Sequence, residues 1–181
     1  MTQGVHVDAE IELLDRASID VWASTENLRM VRLLISAFGT NHGASVDDLE
    51  DLRIATDDMC AHLMAHAPTG GRLIVHAATM RLGEQSPVLI GVHAQVDRAE
   101  NVRELDEIVA LIMGAATDRF GVVHGCSAAQ PTWKVERVDG ADGVGLALDE
   151  PAESNAGQAS VLTGWFCRSL HGSDPGSDPA Q

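Results

Sequence analysis

The chain has 181 residues, 45% of them hydrophobic, enough for one domain with a core of its own. A formal charge of −15 and a single lysine, Lys134, exclude a protein that tracks nucleic-acid phosphates with clustered cations, and they disfavour an anionic membrane surface. Aromatic residues make up only 3%, with no tyrosine, so the core falls to Leu, Ile, Val, Ala and Met. Three scattered cysteines, Cys60, Cys126 and Cys167, form no C-x-x-C pair and suit a reducing compartment. The first residues carry neither a basic nor an apolar signal-peptide region, and no apolar run approaches the roughly 18 residues that span a bilayer. A cytoplasmic protein is expected.

Residues 1–16 are polar and acidic and read as a flexible leader. From Ala17 to Ala23, Ile19 and Val21 alternate with Ser18, Asp20 and Trp22, which predicts a strand. Ser24 and Thr25 offer N-cap hydroxyls. Leu28, Val31, Leu34 or Ile35, and Phe38 then recur at helical spacing, with an end expected near Gly39 to Gly43. A second helix starts at Ser45, where the run to Asp48 has the form of a capping box and Asp47, Asp48, Glu50 and Asp51 meet the positive end of the helix dipole. Leu49, Leu52, Thr56, Met59 and Leu63 make its stripe, and Pro68 to Gly71 stop it.

Strands are predicted over 72–80 and 88–96 around a turn at Gly83, a helix over 104–118 through Leu105, Ile108, Val109, Ile112 and Ala116, and short strands at 119–124, 131–138 and 144–148. From Asp149 on, Ser, Gly, Ala, Asp and Pro dominate, and residues 149–181 read as a disordered acidic tail. Within it Val161 to Cys167 form a small apolar island able to dock on the domain or a partner. The element order over 17–148 predicts an α+β two-layer sandwich, a mostly antiparallel mixed sheet with helices on one face.

Three segments carry a family resemblance: Glu26-Asn-Leu-Arg-Met-Val-Arg32, Asp51-Leu-Arg-Ile-Ala-Thr-Asp-Asp-Met-Cys-Ala-His62, and Ala65-His-Ala67. Together they resemble the anti-sigma regulatory factors, small serine kinases of the histidine-kinase-like ATPase superfamily. The likeness spans about residues 18–148 and implies that fold, an ATP and magnesium site, and two protein partners: a sigma factor and an anti-sigma factor antagonist. A homodimer is a further expectation of the family.

In that family a glutamate general base and an asparagine four residues later share one helix face, so both can converge on one ion under the nucleotide. Asp58 stands at the glutamate position, as the implied catalytic base, and His62 at the asparagine, or magnesium, position. His62 offers nitrogen, a poor match for hard Mg²⁺. The family's Asp-x-Gly-x-Gly appears as Asp97-Arg-Ala-Glu-Asn101, with Asp97 on adenine by resemblance and Ala99 and Asn101 where glycines belong. No glycine lies between Gly91 and Gly114, and Glu104, Asp106 and Glu107 fall beside the polyphosphate position. Those carboxylates oppose anion binding.

Arg29 and Arg32 are three apart on the first helix and, with Glu26, read either as a solvated surface or as a partner-docking face, which the resemblance favours. Asp58, His62 and His66 at i, i+4 and i+8 read either as polar residues around a vestigial pocket or as part of a zinc site. His124 and Cys126 read as a strand end, and Gly143-Val-Gly145 as a hairpin turn. The function implied is an anti-sigma factor that sequesters a sigma factor, is countered by an antagonist, and keeps a degenerate ATP site. The alternatives are an active serine kinase acting on the antagonist, and a metal- or ligand-sensing domain.

Overall fold

The computed structural model describes residues 11–81, 86–97, 105–126, 133–137, 144–148 and 160–171. The elements run β1 (Glu12–Trp22), α1 (Leu28–Asn41), α2 (Val46–Ala65), β2 (Arg72–Arg81), β3 (Leu89–Asp97), α3 (Glu107–Ala116), β4 (Arg119–Cys126), β5 (Trp133–Arg137), β6 (Val144–Leu148) and β7 (Ser160–Ser169). Five strands make one antiparallel sheet in the order β1-β2-β3-β7-β4, and β5 and β6 form a separate antiparallel pair. The architecture is the α+β two-layer sandwich expected from the element order. No helix among the described residues is long and apolar enough to cross a membrane.

Two expectations from sequence need correction. The strand placed at 17–23 begins at Glu12, so residues 12–16 of the expected leader are sheet: Glu12 pairs with Arg81, Leu13 with Met80 and Arg16 with Ala78. Backbone pairing to β2 creates this extension. Its side chains face solvent on an edge strand and leave no burial pattern to read. The larger correction concerns the expected tail. Residues 160–169 form β7, which lies between β3 and β4 and pairs with both along its length. Its apolar island is core: Leu162 and Phe166 are fully buried. The flanking Ser, Gly and Pro composition concealed a strand whose partners come from distant parts of the chain. The turn expected at Gly83 lies outside the described residues.

Alternation along the strands sends one set of side chains to the helices. Leu73, Val75 and Ala77 of β2, Ile90, Val92, Ala94 and Val96 of β3, and Leu162 and Phe166 of β7 join Val31, Ile35, Leu52, Met59 and Leu63 in one cluster. Gly164 sets how close α2 comes. A Cβ there would meet Met59 Sδ at 2.1 Å, so only glycine lets the helix rest on β7. The helix stripe expected from sequence is thus core, apart from Leu49, which is only half-buried.

The capping box forms as the sequence predicts: Ser45 Oγ accepts from the Asp48 amide at 3.1 Å, and the Ser45 amide donates to Asp48 Oδ2 at 3.0 Å. Asp48 is also 99% removed from solvent, because the end of β7 closes over it. The His171 amide donates to Asp48 Oδ2 at 3.1 Å, and Arg168 Nη2 reaches Asp51 Oδ2 at 2.5 Å. Burial opposes the Asp48 charge, but donors from Ser45 and His171 outweigh it and hold the carboxyl below its ordinary value. The N-terminus of α2 is therefore pinned to the C-terminal end of β7.

On the opposite sheet face lies His93, 3% exposed and beside His76 at 5.7 Å between ring centroids. Burial first, then the neighbouring His76, pushes its value down to about 4.

Phe166→Ala should cost about 3–5 kcal/mol, read in urea unfolding, and removal of residues 160–181 should abolish the cooperative transition. Acid should act in two windows. Because the folded His93 takes its proton near 4 rather than 6.5, the unfolded chain protonates first and stability falls as pH drops from 6.5 to about 4. For this one group the loss is roughly 3 kcal/mol. Asp48 has a depressed folded value, so its contribution is intact above 3.8 and is lost as pH falls through that lower value. His93→Leu should shrink the first window, where His62 and His76 also contribute through their lowered values, and leave the second.

Candidate functional site

The site residues expected from sequence gather around the second half of α2. That half is oriented by two contacts. The first turn of α2 sits at Arg168 and His171, and its Met59–Leu63 stretch sits over Gly164. As residue numbers rise along α2 they fall along β7, and β7 is antiparallel to β3. The C-terminal half of α2 therefore lies at the same end of the sandwich as Asp97, the last residue of β3.

Asp58 and His62 share a helix face one turn apart, and both are half-buried. Burial, then the charge of Asp57, raises the Asp58 carboxyl above its ordinary value. Burial, then His66, lowers the His62 imidazole. His62 Nε2 is buried with no hydrogen-bond partner among the described residues. The two imidazoles meet at a tilt of 50°, centroids 4.7 Å apart, and His66 Nδ1 lies 2.8 Å from the His62 carbonyl, so His66 caps the helix end rather than reaching away.

Those groups suit general acid–base chemistry or hydrogen bonding better than they suit magnesium, which takes oxygen ligands in near-ideal octahedral geometry. Among the described residues no group of three or more His, Cys, Asp or Glu could hold a metal ion. A nucleotide with its magnesium would find one carboxylate here, a nitrogen where the second oxygen belongs, and Asp97 half-buried at the strand end. Ala99 and Asn101 lie outside the described residues. Cys60, on the buried side of α2, is inert: burial, then Asp57, pushes its thiol up to about 12.

The first helix presents a second surface. Glu26 is exposed in a short 3₁₀ turn, Thr25–Asn27, and Arg29 is exposed on α1. Arg32 is partly exposed, as expected, but it is not a free surface cation. Its Nε donates to Asp57 Oδ1, which ties α1 to α2. The pairing comes from the packing of the two helices, so helical period alone could not place Arg32. Sequence reasoning also missed Met30 and Leu33, 51% and 56% exposed. Their signal was present: both are apolar and out of phase with the buried stripe of Leu28, Val31, Ile35 and Phe38. Ile108, expected on the buried stripe of α3, is exposed, as is Leu111 one turn on. Met113 and Ala116 are the buried residues of that helix.

No protein-family model and no curated protein matches this chain. The family likeness therefore rests on the quoted residues and the element order alone.

The geometry predicts that calorimetric titration of the whole chain with Mg·ATP gives no saturating heat at micromolar nucleotide. Saturable binding in that range would favour the kinase alternative.

Proposed function

We infer that this chain is an anti-sigma-type regulatory protein. It sequesters a sigma factor, gives it up when an antagonist protein competes for the same surface, and carries a degenerate nucleotide site. The observation that carries the reading is the outer face of α1. There Met30 and Leu33 are exposed on the same helix as the exposed Arg29, one to two turns past the exposed Glu26, in and next to the segment where the resemblance puts partner contacts. An apolar centre with a charged rim is the usual make-up of a protein-docking patch, and arginine pairs bidentately with a partner's carboxylates.

Support also comes from the element order. A strand, two helices, two strands and a third helix, in an antiparallel sheet with helices on one face, is the arrangement the resemblance implies. Mutually exclusive binding needs no chemistry. A competitor wins when its affinity or concentration is higher, and a phosphoryl-transfer step would only bias that contest. With His62 at the magnesium position we assign the bias to the partners rather than to this chain. Sigma factors act in the cytoplasm, and we place the protein there. Its acidic balance suits a protein partner over nucleic acid.

Purified chain should retain a sigma subunit, identified by mass spectrometry, when exposed to sigma subunits of its own cell. Leu33→Glu should weaken that complex by about tenfold or more without shifting the thermal midpoint, because Leu33 is exposed. Recovery of no sigma subunit, or equal binding by the variant, would overturn the reading.

A further inference from the structure

The sheet face away from the helices carries a cleft that neither the α1 surface nor the Asp58–His62 pair uses. It encloses about 570 Å³, with Leu13, Arg16 and Ser18 of β1, His76 and Met80 of β2, and Trp133 of β5 among its walls. Small-molecule sites commonly span about 300–1,000 Å³.

Strand register builds it. Arg16 pairs with Ala78 and Ser18 with His76, so these four share one face. Leu13 pairs with Met80, and the register slips between Leu13 and Asp15. Without that irregularity, Leu13 and Arg16 would point to opposite faces. With it, an apolar end at Leu13 and Met80 adjoins a polar end at Arg16, Ser18 and His76.

The far wall is Trp133, and its seat is specific. A Cβ on Gly91 would meet Trp133 Cζ2 at 2.6 Å, so glycine lets the indole down against β3. Trp165 meets that ring edge-on, with centroids 6.4 Å apart at 85°. Beneath the polar end His93 backs His76, and its Nδ1 has no partner among the described residues. Burial keeps both imidazoles neutral, which leaves His76 as an uncharged hydrogen-bonding group.

We propose that this cleft binds a small carboxylate with an apolar body, its carboxylate on Arg16 and Ser18 beside His76, its chain or ring between Leu13, Met80 and Trp133. The guanidinium has five donors in a planar fork, so a second partner of Arg16 does not exhaust it. Among the described residues that line it none is Asp or Glu, so they offer a cationic ligand no counter-charge. One arginine beside neutral histidines, in a chain of net charge −15, is too little positive charge for a polyphosphate. The ligand class is therefore a single negative charge on an apolar frame.

Calorimetry on the full chain with octanoate, octanol and octylamine as probes tests this. Octanoate should bind with saturating heat, octanol about tenfold more weakly, and octylamine not at all. Arg16→Gln, an exposed strand position, should lower octanoate affinity by about tenfold, leave octanol binding unchanged, and keep the thermal midpoint. The change in tryptophan emission on adding octanoate should persist in Trp22→Phe and vanish in Trp133→Phe. Absence of saturable octanoate binding overturns the proposal, as does equal affinity for octanol and octanoate, or an Arg16→Gln chain that binds octanoate as the parent does.

Discussion

The structure depends on one strand insertion. β7 takes the place between β3 and β4, and almost every other arrangement is referred to it. Its backbone satisfies donors and acceptors on two neighbours. Gly164 admits α2, and Arg168 and His171 fasten the first turn of that helix. Arg168 also donates to the carbonyl of Ala116 at the end of α3, and Asp118, just before β4, accepts from the Ser169 amide at 2.6 Å. Without β7, β4 and α3 have no sheet to join, and α2 has no floor.

That insertion divides the molecule into two chemical faces. On the helix side the core is aliphatic apart from the phenylalanines Phe38 and Phe166, and the polar groups lie on the outer surfaces of α1 and the C-terminal half of α2. On the other side the half-buried Trp133 and the buried Trp165 stand over glycines, Gly91 and Gly121. A chain so poor in aromatics spends two of its largest side chains on this face. The imidazoles of His76 and His93 on the same face are held below their ordinary values because burial, partial at His76 and nearly complete at His93, disfavours their charged forms. The outer face of α1 and the cleft are therefore physically separate. Occupancy of one need not exclude the other.

The sequence was most legible where the signal is local. The Ser45–Asp48 capping box, the α2 stripe and the strands expected at 72–80, 88–96, 131–138 and 144–148 rest on local neighbours, and each is found within a residue or two of where the pattern put it. It was least legible where pairing is distant. Val161 to Cys167 read as an island in a polar tail because a window around it contains neither β3 nor β4. The first residues of β1 were hidden for the converse reason. An edge strand with exposed side chains has no alternation to betray it, and only β2 defines it.

The candidate site shows the same division. Asp58 and His62 were legible as an i, i+4 pair, but their electrostatic states were not. Asp57 beside Asp58, and the burial of His62, appear only once α2 is packed. Arg32 was readable as a cation on α1, yet Asp57 on another helix decides where it points.

Sequence alone determined the acidic balance, the capped start of α2, the alternation of the inner strands, and the residues available for chemistry, because each is written within a turn or two of chain. The tertiary structure decided which apolar segment became the central strand, that Arg32 would pair with Asp57 on the next helix, and that a slip of register in β1 would set Leu13 beside Arg16. Those outcomes come from contacts between segments far apart in the chain, whose geometry no local pattern encodes.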